Sequence, residues 1–397
     1  MIYLDYAATT PLAREVREAM EPYLGDRFGN PSSVHRLGQE AVSALDRSRE
    51  TIARAMGAEF HGVIFTGSAT EANNLALRGA VGKYAERVAR ETGAARRAQL
   101  PKIIISGIEH DSVFETARDL ECRGEVELAI LPVNREGVVS VKDLASLLDD
   151  RTVLASILYG SNEVGSVQPI REIADLLRSR RLPKSRYPLL HTDAVQAFAY
   201  LSSSLPDLGA DLVTISGHKL CGPKGVGALI VRSDGEKPGC LLTPIVTGGS
   251  QEYGVRAGTE SVAAIVGFAA AVGRARERRD RARETVALLS EFARREAARL
   301  DPAIEVNGPR EPSHALPHII SLRFPGRLAE PAVLKLDSAG IAVSAGSACS
   351  ARAMKPSRVL LAMGRSEREA RESIRISFGE ETTEEEIARA LRIASES

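Results

Sequence analysis

Short apolar runs, many of them β-branched, alternate with amphipathic helical stretches through the middle of this chain, and this alternation constrains its fold more than any other feature. Most of the runs are continuously apolar, which is typical of strands in a sheet covered on both faces. The order predicts an α/β fold with a mainly parallel, doubly wound sheet, in which ligands bind at the carboxyl ends of the strands. The predicted strands are 63–66, 102–106, 126–131, 153–158, 188–192, 212–216 and 228–231, and the predicted helices between them are 70–90, 112–123, 141–148 and 170–180.

The pattern changes after residue 259. Residues 260–300 form a long helical stretch, first alanine-rich and then heavily charged, which is compatible with one helix or a broken pair. The strands and helices predicted after it indicate a smaller α+β domain: 318–324, 330–339, a helix from 359, and 373–378. We expect a large domain over residues 15–260 and a small domain made of residues 1–14 and 261–397.

Charge and cysteine content exclude several classes of protein. The 397 residues include 52 acidic and 52 basic side chains, so the formal net charge is zero. The overall charge therefore gives no indication of binding to nucleic acid or to a membrane surface. We expect a cytoplasmic protein, because no signal-peptide pattern and no window near the roughly 20 apolar residues of a membrane helix is present. Cys122, Cys221, Cys240 and Cys349 form no C-x-x-C pair, which excludes the usual zinc spacings and gives no support to a disulfide framework, so no metal is expected.

Two segments, 92–100 and 179–187, have the composition of loop insertions. The second, SRRLPKSRY, is strongly basic, and we interpret it as a solvated insertion rather than a docking patch.

The stretch FTGSATEANN, residues 65–74, places glycine, serine and threonine where a predicted strand ends and a helix begins. One interpretation is an ordinary N-cap, with Glu71 at the positive end of the helix dipole. The other is an anion cradle, because free N–H and O–H groups at a helix start bind negative charge. This stretch by itself leaves both open.

Polar side chains follow other predicted strands at the same edge of the sheet. His110 comes soon after strand 102–106, Asn162 after 153–158, and Asp193 directly after 188–192. Asp193 and Gln196 have the spacing of a capping box, and Asp193 is equally suited to pair with a buried ring nitrogen.

A lysine reaches this edge from strand 212–216, in the stretch SGHKLCGPKG. Lysines are usually solvated, but glycines on both sides of Lys219 let another group approach the backbone closely. A lysine beside an anion cradle, an acid and a stacking histidine fits pyridoxal phosphate (PLP). That cofactor bonds to a lysine through its aldehyde, to an aspartate through its ring nitrogen and to a helix N-terminus through its phosphate.

The sequence resembles the cysteine desulfurases of the NifS/IscS type, within the class V aminotransferase group of fold-type I PLP enzymes, over nearly its whole length. The resemblance implies a large domain with a mainly parallel seven-stranded sheet sandwiched by helices, plus a smaller α+β C-terminal domain. It is carried by YLDYAATTP, FGNPSSVH, FTGSATEANN, EH at 109–110, SNEVG, TDAVQ, SGHKLCGPKGVGAL, GGSQEYGVRAGTE, SAGSACS and SIRISFG.

Carried over position by position, the resemblance implies a role for each matching residue. Lys219 would be the Schiff-base lysine and proton shuttle, Asp193 the partner of the pyridine nitrogen, and His110 the residue stacked on the ring. Arg375 would hold the substrate carboxylate with Asn162 beside it, and Asn162 would also contact the cofactor. The other implied cofactor ligands are Gln196 at the ring hydroxyl, Ala69, Thr70, Ser216 and His218 at the phosphate, and Thr259 across a homodimer interface.

Cys349 matches the nucleophile of the family, and its small neighbours in SAGSACS argue against a buried packing role. The implied reaction converts L-cysteine to alanine, leaves a persulfide on Cys349, and passes the sulfur to an acceptor such as an iron–sulfur scaffold or a tRNA-thiolation protein. Two departures from the family pattern are Cys221, inside the lysine motif, and Glu380, where many relatives carry arginine.

Other functions remain to be weighed against this one. A selenocysteine lyase would use nearly the same residues, whereas a transaminase needs no cysteine at position 349. A non-catalytic sulfur-carrier scaffold predicts the loss of Lys219 or Cys349, and both are present.

Overall fold

The computed structural model describes residues 1–92, 100–181, 185–232, 235, 237–346 and 355–396. In chain order, its first elements are β1 (Ile2–Tyr3), α1 (Arg14–Leu24), α2 (Arg36–Met56), β2 (Val63–Thr66), α3 (Ala69–Thr92), β3 (Lys102–Ser106), α4 (Asp111–Cys122), β4 (Glu127–Leu131), α5 (Val141–Leu147), β5 (Thr152–Ser156), α6 (Ile170–Arg180), β6 (Leu189–Asp193), α7 (Leu205–Leu208), β7 (Leu212–Ser216) and β8 (Gly227–Val231). The later elements are α8 (Val262–Leu300), β9 (Glu305–Asn307), β10 (Ile319–Arg323), α9 (Ala329–Ser338), β11 (Ile341–Ala342), α10 (Arg358–Ala362), α11 (Glu367–Arg371), β12 (Ser373–Ser377) and α12 (Glu384–Ser395).

Within the described residues, seven strands form the main sheet, in the order β2-β8-β7-β6-β5-β3-β4. Strands β3 to β7 pair in parallel, whereas β8 runs antiparallel to its neighbours β7 and β2. Helices α3 and α4 cover one face and helices α2, α6 and the first half of α8 cover the other, so most strands are buried throughout their length. The predicted fold class is confirmed, and the bounds of the predicted strands agree with the observed ones to within two residues.

Helix α8 is one continuous helix of 39 residues, not a broken pair. Its first half packs on the main-sheet core through Phe268 and Val272. Its second half contributes Val286 and Ala293 to another cluster, built around the antiparallel sheet β12-β10-β9. Leu4, next to β1, belongs to this second cluster, so the start of the chain packs with its C-terminal part.

The two predicted insertions are only partly described, because residues 93–99 and 182–184 lie outside the described ranges. The ends of the second one are anchored: Arg181 forms a 2.5 Å ion pair with Asp211, and the ring of Tyr187 packs edge-on against Tyr84 with centroids 5.2 Å apart. These contacts tie the edges of the basic segment to the body of the protein.

Two kinds of feature, a helix that could span a membrane and a cluster of metal ligands, are absent from the described part of the chain. No helix there is both long and apolar enough to cross a membrane. No group of three or more His, Cys, Asp or Glu side chains there is arranged to hold a metal ion.

Candidate active site

A cavity of about 430 Å³ lies at the carboxyl ends of the strands of the main sheet. Strand ends β3, β5, β6 and β7, the start of α3, the N-terminal segment and β12 all contribute to its wall. Its lining includes nearly all of the residues expected from the sequence: Ala69, Thr70, His110, Asn162, Asp193, Gln196, Ser216, His218, Lys219 and Arg375.

Lys219 ends a short 3₁₀ turn that directly follows β7. Its ammonium donates hydrogen bonds to the backbone carbonyls of Ala7 and Ala8, the latter at 2.7 Å. The N-terminal segment therefore lies against the lysine and satisfies its charge. No pattern in the sequence indicated this contact between residues more than 200 positions apart.

Asp193, the last residue of β6, is 9% exposed. Its Oδ2 accepts a 2.8 Å hydrogen bond from Asn73 Nδ2, and its Oδ1 accepts one of 3.0 Å from the backbone N–H of Val195. The capping box with Gln196 does not form, because turns rather than a helix follow β6 and the Gln196 amide donates instead to the carbonyl of Ala7. Asp193 is thus held rigidly at the cavity wall.

Asn73 connects Asp193 to His110. Besides its bond to Asp193, Asn73 Nδ2 donates to Ser112 Oγ at 2.8 Å, and Ser112 Oγ lies 2.8 Å from Nδ1 of His110. His110 caps the start of α4, because the same Nδ1 accepts the backbone N–H of Ser112 at 3.1 Å. With Nδ1 occupied as an acceptor, the proton of the neutral imidazole lies on Nε2.

The start of α3 forms a cradle against β8. A side chain on Gly227 would place its Cβ 2.9 Å from the backbone nitrogen of Ala69, so only glycine lets the two segments approach this closely. The N–H groups in the first turn of a helix have no intrahelical acceptor and are available to an anion. The N-cap interpretation is confirmed, since Ser68 Oγ accepts the N–H of Glu71 at 3.1 Å, and the anion cradle stays a prediction.

Two basic residues, Arg256 and His218, lie near the cradle or line the same cavity. Arg256 forms a 2.7 Å ion pair with Glu71, which neutralises the acid in the first helical turn. The Nδ1 of His218 lies 3.2 Å from Thr9 Oγ1. Burial, with the charges of Lys219 and Lys224 nearby, lowers the pKa of His218 to about 4, so it is neutral at ordinary pH.

Arg375, on β12, is 2% exposed and reaches the cavity from the C-terminal part of the chain. Its Nη2 donates to Asp5 at 2.6 Å and its Nη1 donates to the backbone carbonyl of Asn162 at 2.8 Å. Within the described residues its Nε has no hydrogen-bond partner. Asn162 is therefore next to Arg375, and the contact is made by its backbone carbonyl.

Two other residues singled out from the sequence do not line the cavity. Thr259 is exposed and does not line it within one chain. Cys221 is also absent from the lining; its left-handed backbone (φ 56°) is held by a 2.8 Å bond from its N–H to Thr10 Oγ1. Cys349 lies outside the described residues.

Several residues around the cavity were missed by sequence reasoning. Asn73, Glu163 and His318 are buried, and each has a hydrogen bond to a neighbour of the site. Asn73 lies in the quoted motif FTGSATEANN, three residues after Thr70, and one helical turn of spacing could have indicated that it faces the same way. For His318 no local pattern carries such a signal.

The family model described as "Aminotransferase class-V" matches residues 2–390. The chain is 40% identical over 392 residues to "Cysteine desulfurase IscS" of Dictyoglomus turgidum, covering 99% of this chain and 93% of that protein. It is 41% identical over 392 residues to "Putative cysteine desulfurase IscS 1" of Bacillus subtilis, covering 98% of this chain and 97% of that one. Among solved structures, a "NIFS-LIKE PROTEIN" superimposes with a TM-score of 0.86 at 32% identity, covering 100% of this chain and 98% of the other.

Proposed function

Because the chain belongs to the aminotransferase class-V family, and within it to the cysteine desulfurases of the NifS/IscS type, we propose that it takes sulfur from L-cysteine onto Cys349 and delivers it to a protein acceptor. The enzyme is a PLP-dependent cysteine desulfurase. The observation that best supports roles for individual residues is the convergence of Lys219, Asp193 and the start of α3 on one cavity.

The residues of the cavity fit PLP. Glycine at position 227 avoids a Cβ that would crowd the backbone N–H of Ala69, in the first turn of α3, where a phosphate would bind; Asp193 supplies a fixed carboxylate for a ring nitrogen, and Lys219 supplies an amine for an aldehyde. Thr70, Ser216 and His218 line the same cavity as the cradle. When bound, the cofactor withdraws electrons from the α-carbon of the substrate.

Three side chains of the protein have separate roles in the reaction. Arg375 binds the substrate carboxylate, and its Nη1 contact with Asn162 keeps the guanidinium in place. Lys219 carries protons to and from the substrate carbon after it leaves the carbonyls of Ala7 and Ala8. Asp193 keeps a proton on the ring nitrogen, because Asn73 and a backbone N–H hold it in place.

The sulfur step uses Cys349 as the nucleophile. Its thiolate attacks the sulfur of L-cysteine, an S–S bond forms, and the C–S bond breaks. The bonding electron pair goes to carbon, which takes up a proton and leaves as alanine. The thiolate of an acceptor protein then attacks the outer sulfur of the persulfide, the S–S bond to Cys349 breaks, and Cys349 leaves as a thiolate. We propose an iron–sulfur scaffold or a tRNA-thiolation protein as the acceptor.

A homodimer would complete the site. The loop that carries Thr259 is fixed from two sides, by the buried pair of Arg49 with Glu252 (2.6 Å) and by Arg256 with Glu71. Thr259 itself is exposed at the end of this fixed loop. We propose that it reaches the phosphate site of a second copy, and sedimentation of the active enzyme tests this: a fully active monomer would contradict it.

We also retain the proposed division into domains. The main-sheet core lies within residues 15–260 apart from the first half of α8, and the second cluster combines Leu4 with residues after 261. This supports a large PLP-binding domain at 15–260 and a small domain at 1–14 and 261–397 that carries the Cys349 segment.

The test of the function measures alanine and sulfide together after the purified protein receives L-cysteine and a reductant. We expect equal amounts of both, none from Lys219→Ala, and only traces from Cys349→Ala. Intact mass after brief exposure should show one added sulfur on the wild type and none on Cys349→Ala. Alanine without persulfide, or faster turnover of L-selenocysteine than of L-cysteine, would contradict the proposal and favour a selenocysteine lyase. Borohydride reduction followed by peptide mapping should place PLP on Lys219, and label on another lysine would overturn that role.

A further inference from the structure

His318 is a buried histidine next to the active site that the reaction described above does not use. It lies just before β10, is 3% exposed, and stacks on the ring of Tyr200 with centroids 4.1 Å apart and planes at 23°. Its Nε2 lies 3.2 Å from Oε1 of Gln196, which lines the cavity. Within the described residues its Nδ1 is buried without a hydrogen-bond partner.

The orientation of the Gln196 amide follows from its two contacts. Its Nε2 donates to the carbonyl of Ala7 at 2.9 Å, and a carbonyl can only accept. Its Oε1 therefore faces His318, and two acceptors in contact would repel each other. His318 must carry its proton on Nε2 and donate it to Gln196.

The other protonation states of His318 are disfavoured. A proton on Nδ1 would leave a buried donor without an acceptor, which is unfavourable because the group has lost its hydrogen bonds to water. Burial, together with the charges of Lys219 and Arg375, lowers the pKa of His318 to about 3, so the doubly protonated form is absent at neutral pH. His318 is thus a fixed single donor.

A glutamine held in this way has one N–H left. An amide nitrogen carries two hydrogens, and the Ala7 carbonyl takes one of them. We propose that His318 is a positioning residue, which locks the Gln196 amide so that its second N–H faces the cavity and meets an acceptor oxygen on the ring of the bound cofactor. This rests on the proposed function, because that function supplies the cofactor.

The same arrangement connects Gln196 to Lys219. The Ala7 carbonyl accepts from both the Gln196 amide and the Lys219 ammonium. When the lysine leaves this carbonyl to bond to the cofactor, Gln196 remains on it, provided that His318 still holds the other end of the amide. Loss of His318 frees the amide to rotate and to present an oxygen instead of an N–H.

Two variants separate the hydrogen bond from the packing. His318→Phe keeps a ring on Tyr200 but has no donor, whereas His318→Gln keeps an N–H at a similar reach and has no ring. We expect the visible spectrum of the bound cofactor at one fixed pH to change in His318→Phe, and cofactor release to quicken up to about tenfold, as for the loss of one hydrogen bond. His318→Gln should restore most of both. Tyr200→Phe, which keeps the stack, should match the wild type.

Several results would overturn the inference. One is a spectrum and a release rate in His318→Phe that equal those of the wild type, and another is a failure of His318→Gln to restore them. A change in Tyr200→Phe as large as that in His318→Phe would assign the effect to packing. If His318→Phe does not fold, nitrogen chemical shifts of ¹⁵N-histidine-labelled wild-type enzyme decide, with the signal assigned through His318→Gln: a proton on Nε2 supports the proposal and a proton on Nδ1 overturns it. A wild type that binds PLP but fails these tests leaves the proposed function intact, whereas a wild type that binds no PLP overturns both.

Discussion

The hydroxyl of Ser357 donates a 2.5 Å hydrogen bond to the buried carboxylate of Glu163. Glu163 directly follows Asn162, whose carbonyl accepts from Arg375, and Ser357 also caps α10 by accepting the N–H of Leu360 at 3.1 Å. The chain that follows residues 347–354 is therefore bonded to the turn beside Arg375. This contact holds Ser357, eight residues after Cys349 in the chain, at that turn.

The first prediction concerns this contact. Ser357→Ala removes the cap of α10, worth about 1 kcal/mol, and leaves Glu163 without its hydroxyl donor. We expect persulfide formation on Cys349 to slow about tenfold while PLP binding is unchanged, since a small displacement of a reacting group has effects of that order or larger. Rapid-quench intact mass measures the rate. The control is Ser366→Ala, which removes the cap of α11 away from the cavity; equal slowing in both variants would contradict the prediction.

The second prediction concerns Arg375→Lys. A lysine has one ammonium and cannot reproduce the planar fork that contacts Asp5 and Asn162 while a carboxylate binds. We expect the KM for L-cysteine to rise at least about tenfold, with a smaller loss in kcat. Arg323→Lys is the matched control, because this arginine lies on the neighbouring strand β10 and pairs with Glu305 instead of lining the cavity. An unchanged KM in Arg375→Lys would remove the arginine from substrate binding.

The third prediction concerns Asp193→Asn. The amide keeps the size of the side chain but cannot hold a proton on a ring nitrogen, so we expect kcat to fall about a hundredfold or more while the cofactor is retained. Asp211→Asn is the control, since Asp211 is equally buried but pairs with Arg181 and the N–H of Leu190. It should lower stability and leave kcat nearly unchanged. Normal turnover of Asp193→Asn would show that another group does this work.

The fourth prediction is a dependence of stability on pH that arises from Glu109. Burial raises the pKa of this carboxyl from 4.5 to about 8, although Ser106 and the N–H of Leu158 donate to it. Its contribution to stability is fully present below pH 4.5 and is lost as the pH rises through about 8, because ionisation is then favoured in the unfolded chain.

Glu109→Gln should remove that part of the dependence. We expect a shallower fall in the melting temperature between pH 5 and pH 9 than in the wild type, measured by calorimetry of the holoenzyme. Its melting temperature at pH 5 should be no higher than that of the wild type. Glu125→Gln, at an exposed position, should follow the wild type, and parallel curves for all three proteins would contradict the prediction.

Much of the fold could be predicted because buried strands leave a strong local signal. Val63–Thr66, Lys102–Ser106 and Leu212–Ser216 were predicted with the observed bounds, since each is a short apolar run buried along its length. The continuity of α8 was not decided by sequence, because a charged stretch follows its alanine-rich half. The two halves of α8 pack against two different hydrophobic clusters, whose other residues are distant in the sequence.

In the candidate site, too, some features could be predicted from the sequence and others could not. Lys219, Asp193 and His110 could be placed together, because parallel strands bring their carboxyl ends to one edge. The bonds of Lys219 to Ala7 and of His318 to Gln196 could not, since they join residues far apart in sequence with no shared pattern. Thr259 and Cys349 remain predictions.

The ion pair of Asp5 with Arg375 has a consequence for how the enzyme is made. The two residues are 370 positions apart, and Ala7 likewise bonds through its N–H to Ser377. At 5–20 residues per second, a ribosome needs roughly 20–75 s to reach Arg375 after it has added Asp5. During that time the residues that will hold Lys219 and Gln196 have no partner in the C-terminal part of the chain. Synthesis of nearly the whole polypeptide must therefore precede the assembly of the cofactor site.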